Sequence, residues 1–379
     1  MSTEYWILFF ISFSAAFLTT PVFRRLALAL DITDHPSARK VHKKPIPYLG
    51  GLAFHVSMSA SLFYLLFISP YMLDVEINRT ELLVLYTVAS LFQFVGILDD
   101  IYSLSALSKL MIQIILSLVL VFSGFSITQM TSPLGGTIPL GWFGVIVSVF
   151  WILTIVNAIN FIDGLDGLAA GIVFFAALAN LMIALDPWQN FVCIISLILM
   201  GATLGFLPYN FSPASIFMGD SGSLYLGVLI AGTALASNVK GATVMSLALP
   251  LVILSIPLLD TTLTVIRRGR RRQRIFSADR EHIHHRLLRI GYTDRQAVLF
   301  VYGLCLLLSM SAYLAAQLSN RYAFVFIFVF LAAILMGLLV FNSIEKRLEN
   351  TLNHSTLSHS PALHPEHQTA KSNDTNQES

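Results

Sequence analysis

Five aspartates are the residues of this sequence whose type and spacing could do chemistry. Asp99 and Asp100 are adjacent in GILDDIYS, Asp163 and Asp166 are three residues apart in NAINFIDGLDG, and Asp220 lies in FMGDSG. Each of these motifs stands at the end of a long apolar stretch. An ionised carboxylate near a membrane needs a partner or an aqueous cavity. The acids therefore predict a polar site at one mouth of a membrane bundle.

Such a cluster predicts the binding of a hard divalent cation together with phosphate. Carboxylates gathered in one place repel one another unless a cation joins them, and Mg²⁺ takes one or two carboxylates, several waters and substrate phosphates. The glycines after Asp163 and Asp166 let a phosphate come close. The amides of a helix that begins near Asp220 would favour an anion. For each aspartate alone, turn or capping chemistry is the alternative.

Two basic segments accompany the acids. Residues 267–295 carry ten arginines and the motif His282-Ile283-His284-His285, whose imidazoles can contact phosphate oxygens or transfer protons. Membrane orientation and contact with anionic headgroups account for most of the arginines from Arg267 to Arg274, and zinc is the alternative for the histidines. Lys43 and Lys44, in RKVHKKPIP, can hold a phosphate or serve only to orient the chain in the membrane.

The elements that position these residues are predicted to be membrane helices. The chain has 379 residues, of which 56% are hydrophobic and 12% charged, which excludes a soluble globular enzyme. Its uncharged stretches are long enough for about eleven spans. One stretch, 110–162, counts as two because the polar segment from Gly124 to Gly141 interrupts it. We therefore predict an all-α polytopic membrane protein.

The distribution of Lys and Arg predicts the orientation. The odd-numbered connecting segments carry 17 of the 23 basic residues, so the N-terminus is expected outside, and the odd segments and the C-terminus in the cytoplasm. All five aspartates then share the cytoplasmic side. We predict a catalytic membrane domain over residues 1–345 and a disordered cytoplasmic tail over 346–379. The active-site loops are predicted at residues 24–46, 98–109, 158–168, 208–222 and 267–295.

Taken together, five motifs resemble the polyprenyl-phosphate N-acetylhexosamine-1-phosphate transferase family. They are DHPSARKVHKKPIPYLGG, LDDIYSLSALSK, NAINFIDGLDGLAAG, NFSPASIFMGDSGSLYLG and ADREHIHHRLLRIG, in this order along residues 1–345. The resemblance implies a Mg²⁺-dependent enzyme, with Mn²⁺ as an alternative ion. It would move a sugar-1-phosphate from a UDP-sugar to undecaprenyl or another polyprenyl phosphate and release UMP.

The resemblance also implies roles for individual residues. Asp99 and Asp100 match paired aspartates, one implied in binding the metal and one in deprotonating the lipid phosphate, and Asp220 matches a further metal ligand. Asp163 matches a catalytic acid, and Asp166 a contact to the nucleoside. The remaining matches are Asn210 and Phe217 at the uridine pocket, Lys43 or Lys44 near the nucleotide, and His282, His284 and His285 at the diphosphate.

Ile283 interrupts the histidine run, a form closer to the branch that transfers N-acetylglucosamine-1-phosphate to begin O-antigen, common-antigen or teichoic acid chains. The expected location is the bacterial inner membrane. Other UDP-N-acetylhexosamines or UDP-MurNAc-pentapeptide remain open as donors, and so does a homodimer; no nucleic-acid partner is expected. An ion-coupled transporter is the rival class, because acids within membranes often mark ion pathways.

Overall fold

The computed structural model describes residues 3–34, 45–69, 78–132, 136–185, 189–239 and 291–318, with isolated positions between 322 and 336. The helices in these ranges all belong to a unit formed by residues 1–329. They are α1 (Thr3–Ala29), α2 (Gly51–Phe63, continued by a π-helical turn at Tyr64–Ile68), α3 (Arg79–Tyr102), α4 (Ala106–Phe122), α5 (Trp142–Ile162), α6 (Leu168–Ala184), α7 (Asn190–Asn210), α8 (Gly219–Val239) and α9 (Asp294–Gln317).

The helices lie where the uncharged stretches predict spans, and the polar break at 124–141 separates α4 from α5. Among the described residues, six helices are long and apolar enough to cross a membrane: α1, α2 with its π-helical turn, α3, α5, α7 and α9. The predicted spans at 241–259 and 322–344 lie wholly or largely outside the described residues. The helical membrane class is confirmed, whereas the count of eleven and the orientation stay predictions.

Helix α8 is the buried centre of the described helices. It packs along α3 and α5 and also contacts α2, α6 and α7, and its side chains from Ser221 to Leu235 are buried. Helix α1 packs along α7, where Gly201 and Gly205 leave room for its backbone. Small residues allow such close approach between membrane helices. Helix α6 lies between α7 and α9.

Two short antiparallel pairs depart from the purely helical prediction. β1 (Thr33–Asp34) pairs with β2 (Ile46–Pro47), and β3 (Gln129–Thr131) pairs with β4 (Thr137–Pro139). Both pairs lie in connecting segments, where the backbone polar groups have no helical partners and find them across the segment instead. Strand β2 also binds the α7–α8 loop, through the bond from Phe217 N to the Pro47 carbonyl at 2.9 Å.

Candidate active site

A cavity of about 950 Å³ lies where the ends of several helices meet. It is bordered by α1, the β1–β2 pair, the end of α3, the α5–α6 turn, the α7–α8 loop and the start of α9. Of the predicted site residues, those that line it are Asp100, Asp163, Asp166, Asn210, Phe217 and Asp220. Arg24 is the single basic residue among its described lining residues. The topology therefore brings three separate motifs to one polar space.

Asp99 points away from this cavity, toward α4. Helix α3 ends at Tyr102, and Ser103 adopts a left-handed conformation that turns the chain back. Leu104 N then donates to Asp99 Oδ1 at 2.7 Å, and Lys109 Nζ, on α4, donates to Asp99 Oδ2 at 2.8 Å. Asp99 thus holds the α3–α4 turn and orients Lys109.

Asp100 points the other way, to the first residues of α8. Its Oδ1 accepts from Asp220 N at 2.8 Å and its Oδ2 from Ser221 N at 3.1 Å. Gly219 has a φ of +69°, and a Cβ there would lie 2.6 Å from Asp100 Oδ2, so only glycine fits this approach. The sequence predicts an anion at the first amides of this helix, and the Asp100 carboxylate is the anion that two of them bind.

Asp220 is the meeting point of α3, α4, α5 and α8. Its Oδ2 accepts from Lys109 Nζ, and its Oδ1 accepts from Asn160 Nδ2 at 2.8 Å. Asn160 also donates to Ser223 Oγ at 2.9 Å. Lys109 therefore joins Asp99 to Asp220, and a single cation is shared between two carboxylates that come from distant parts of the chain.

Asp163 ends α5 and faces the cavity beside the other acids. Its carboxylate makes no hydrogen bond or ion pair with the described residues. Burial, followed by the charges of Asp220, Asp100 and Asp166, raises the pKa of Asp163 well above its ordinary value. We call Asp100, Asp163 and Asp220 the acid cluster. Its members lie close enough to repel one another.

Asp163 and Asp166 do not share a helix face, because the chain between α5 and α6 is a turn rather than a helix. Asp166 Oδ2 accepts from Ala214 N at 2.8 Å. Gly167, whose φ is +81°, donates its N–H to Asn210 Oδ1 at 3.1 Å. The turn is therefore tied to the end of α7 and to the loop that follows it.

Asn210 is 2% exposed, and both ends of its amide are used. Besides accepting from Gly167, it donates through Nδ2 to the Ile216 carbonyl at 3.0 Å. We call Asp166, Gly167, Asn210, Ala214 and Ile216 the amide network. Within it, Asn210 holds two loops together, so its side chain supports the pocket wall in which the resemblance implies a uridine contact.

Phe217 lies at the cavity beside Tyr48, with ring centroids 6.4 Å apart. Burial, followed by the neighbouring Asp34 carboxylate, raises the pKa of Tyr48 above its ordinary value. Two aromatic rings at the wall of a polar cavity offer a surface on which a planar base can stack.

The remaining predicted site residues, Lys43, Lys44, His282, His284 and His285, lie outside the described residues. The structure adds residues that the sequence did not single out: Lys109, Asn160, Tyr48, Asp34 and Arg24 line the cavity or bind its acids. Asn160 lies one turn before Asp163 in the quoted motif, and that amide spacing could have indicated it. Asp34, Tyr48 and Lys109 also lie in quoted motifs, and Lys109 is the only cation close to Asp99 and Asp100 in the sequence of that segment. Arg24 lies outside all of them.

The donor set of the acid cluster fits a hard divalent cation. Carboxylate oxygens are the ligands that Mg²⁺ prefers, and it needs only one or two from the protein. The Asp163 carboxylate is unpartnered among the described residues and repelled by its neighbours. Within those residues, no group of three or more acids, histidines or cysteines forms a complete metal site. The arrangement thus suits an ion that also uses water and substrate oxygens.

The chain is similar to known proteins over most of its length. Residues 82–238 match the model of glycosyl transferase family 4. The chain is 38% identical to a probable undecaprenyl-phosphate N-acetylglucosaminyl 1-phosphate transferase of Bacillus subtilis, over 81% of this chain and 83% of that protein. It is 36% identical to a decaprenyl-phosphate N-acetylglucosaminephosphotransferase of Mycobacterium tuberculosis, over 76% of each.

A third relative is the undecaprenyl-phosphate alpha-N-acetylglucosaminyl 1-phosphate transferase of Yersinia pestis, 30% identical over 92% of both chains. The matched family segment begins in α3 and ends in α8, so it contains all five aspartates. The apolar helices and these bacterial relatives fit a multi-pass bacterial membrane protein. By its similarity over most of its length, the chain belongs to glycosyl transferase family 4.

Proposed function

We propose that this protein transfers N-acetylglucosamine-1-phosphate from UDP-N-acetylglucosamine to undecaprenyl phosphate, with release of UMP. The observation that carries the proposal is the acid cluster, which three separate motifs form at one cavity. The volume of this cavity, about 950 Å³, suits a small-molecule ligand of considerable size. The activities of the similar transferases supply the sugar and the lipid acceptor for this proposal.

The chemistry is phosphoryl transfer, in which positioning and charge neutralisation do most of the work. Mg²⁺ would be held by Asp220 together with Asp100 or Asp163, and when bound it neutralises charge on the donor diphosphate. Lys109 keeps Asp220 oriented and adds positive charge behind the acid cluster. Asn160 fixes the second oxygen of Asp220. The histidine motif at 282–285 would stabilise the equatorial phosphate oxygens.

The aromatic side of the cavity is the proposed site of the uridine. Phe217 and Tyr48 give a face for stacking, and the amide network holds the adjacent loop. A donor oriented in this way places its diphosphate toward the acid cluster. We propose that the lipid phosphate attacks the sugar-bearing phosphorus directly, with UMP as the leaving group. Attack by an aspartate to form a covalent intermediate is the competing route.

The finer context of the reaction is proposed with it. We propose that the cavity faces the cytoplasm at the inner membrane, where UDP-sugars are available, because the distribution of basic residues favours that orientation. The product, a sugar linked through a diphosphate to the lipid, would begin a cell-envelope polysaccharide of the O-antigen, common-antigen or teichoic acid type. Another UDP-N-acetylhexosamine is the alternative donor.

The deciding experiment uses the purified full chain in detergent with undecaprenyl phosphate, Mg²⁺ and a panel of UDP-sugars. We expect release of UMP with UDP-N-acetylglucosamine, dependence on the lipid, and loss of the product after addition of EDTA. If UMP is released only with UDP-MurNAc-pentapeptide, UDP-N-acetylglucosamine is not the donor. If the reconstituted protein moves a solute into proteoliposomes and releases no UMP, it is a transporter and not the proposed enzyme.

A further inference from the structure

Helix α9 reaches the acid-bearing turn through one side chain, that of Tyr302. Its hydroxyl donates to the Gly167 carbonyl at 2.6 Å. The Gly167 N–H donates to Asn210 Oδ1 at 3.1 Å. Both polar groups of Gly167 are therefore bound, one from α7 and one from α9. The turn that carries Asp163 and Asp166 ends at this doubly held residue.

The ring of Tyr302 packs into a space on α6 that a glycine leaves free. It contacts Phe175 and Phe211, with ring centroids 5.6 and 6.5 Å away. A Cβ on Gly171 would overlap the ring, so glycine at this position of α6 is what lets the phenol reach Gly167. The contact is consequently set by shape as well as by the hydrogen bond.

A second contact ties α9 to the same wall of the cavity. Arg295 Nε donates to the Ser212 carbonyl at 2.7 Å, in the loop that also carries the amide network. Tyr302 and Arg295 thus bind the two segments that the network joins, the α5–α6 turn and the α7–α8 loop. Neither residue lies in the segment that the family model matches, which ends at residue 238.

We infer that Tyr302 is a positioning residue that holds the Asp163–Gly167 turn in the position required for donor binding. The inference rests on the proposed function. Gly167 has a φ of +81° and is the N-cap of α6, where its carbonyl also accepts from Gly171 N at 3.0 Å. The bonds from Tyr302 and to Asn210 are the two that tie it to other helices. Loss of the phenol bond releases one of its two anchors. The turn lines the donor cavity, and a small displacement of Asp163 and Asp166 there weakens donor binding and turnover.

Tyr302→Phe tests this directly, because it keeps the ring and removes only the hydroxyl. The matched control is Tyr313→Phe on the same helix, whose hydroxyl makes no hydrogen bond within the described residues. For Tyr302→Phe we expect about a three- to tenfold rise in the KM for the UDP-sugar, the range that one hydrogen bond supports. The KM for undecaprenyl phosphate should stay unchanged, and Tyr313→Phe should match the wild type.

Hydrogen exchange supplies a readout that does not depend on activity. Amides of the peptide spanning 163–170 should exchange faster in Tyr302→Phe than in the wild type, and at the wild-type rate in Tyr313→Phe. Gly171→Ala, which displaces the ring, should reproduce both the exchange and the donor KM of Tyr302→Phe.

Unchanged exchange in Tyr302→Phe, or faster exchange with wild-type KM, would overturn the positioning role. An equal rise in both KM values with a lower folded fraction would also overturn it and make Tyr302 a general packing residue. Wild-type protein that releases no UMP contradicts the proposed function instead, and the exchange data then still decide whether Tyr302 holds the turn.

Discussion

The two walls of the cavity, the acid cluster and the amide network, are built on opposite principles. In the acid cluster, Asp100, Asp163 and Asp220 repel one another, and Lys109 is the only cation bound to any of them in the described part of the chain. In the amide network, the side chains of Asp166 and Asn210 bind backbone groups of the other members, and Asn210 uses both ends of its amide. One wall is charged and incompletely paired, whereas the other is satisfied.

The contrast separates the groups that react from those that hold the site in shape. Incompletely paired charge destabilises a folded protein but is available to a ligand. Satisfied polar groups contribute to stability and leave little binding capacity. Substitutions in the acid cluster should therefore remove activity at little cost in stability, and substitutions in the amide network should reduce stability first.

The largest effect is expected from Asp220→Asn. This change removes the charge that orients Lys109 and that faces the proposed ion, so kcat should fall about 10³-fold or more. UMP release by the purified variant measures it. Asp31→Asn is the matched control, because Asp31 is exposed, does not line the cavity and has a positive φ that asparagine tolerates. Near-normal turnover in Asp220→Asn would contradict the assignment of the acid cluster as the reacting part of the site.

Asp163→Asn should separate activity from stability most clearly. We expect kcat to fall about 10²-fold. The raised pKa of Asp163 means that its charged form destabilises the fold, and this penalty grows as the pH rises above the ordinary carboxyl pKa. In EDTA at pH 7, the variant should therefore unfold at the same or a higher temperature than the wild type. A lower unfolding temperature for Asp163→Asn would contradict this prediction and show that other groups stabilise the Asp163 charge.

Asn210→Ala should have the reverse pattern. It leaves the Gly167 N–H and the Ile216 carbonyl without their buried partner, which costs about 1–3 kcal/mol of stability for an unsatisfied group. Thermal unfolding in detergent measures this loss, and the donor KM should rise about tenfold because the loop shifts. Asn210→Asp keeps the acceptor for Gly167 but sets a carboxylate oxygen against the Ile216 carbonyl, so it should lose at least as much stability. A stable Asn210→Ala protein with normal KM would contradict the structural role of the network.

The smallest effect is expected from Arg24→Gln at the rim of the cavity. Arg24 is exposed and donates through Nε to the Ser215 carbonyl at 3.1 Å. Loss of an exposed hydrogen bond should change stability by less than about 0.5 kcal/mol. The donor KM should rise about twofold. Arg25→Gln, which removes the same charge from a residue that does not line the cavity, should leave that KM unchanged.

Much of the fold follows from the sequence because membrane helices leave a strong local signal. The uncharged stretches predict the described helices, and the polar break before Trp142 predicts the end of one span and the start of the next. Charge placement likewise predicts that Asp100, Asp163 and Asp220 share one site. The helices depend on residues that lie near one another in the chain, and the shared site depends on the loops lying at one end of these helices.

The interior of the site depends on long-range contacts, which leave no such signal. Nothing in the sequence near Tyr302 indicates a bond to Gly167, 135 residues away. Which of Asp99 and Asp100 faces the cavity also had to come from the structure, because only the α3–α4 turn decides which of them Lys109 binds. Asn210 looks like a ligand contact in the sequence and acts as a support in the fold.

The pairing of α1 with α7 has a consequence for biosynthesis. Tyr5 and Ser12 bind residues of α7 that follow them by 185 and 186 positions. During synthesis, α1 therefore enters the membrane long before its main partner exists, with two hydroxyl groups that await their acceptors. The rim residue Arg24 is carried by this same helix. The final position of α1, and with it one edge of the cavity, is settled only after α7 has been inserted.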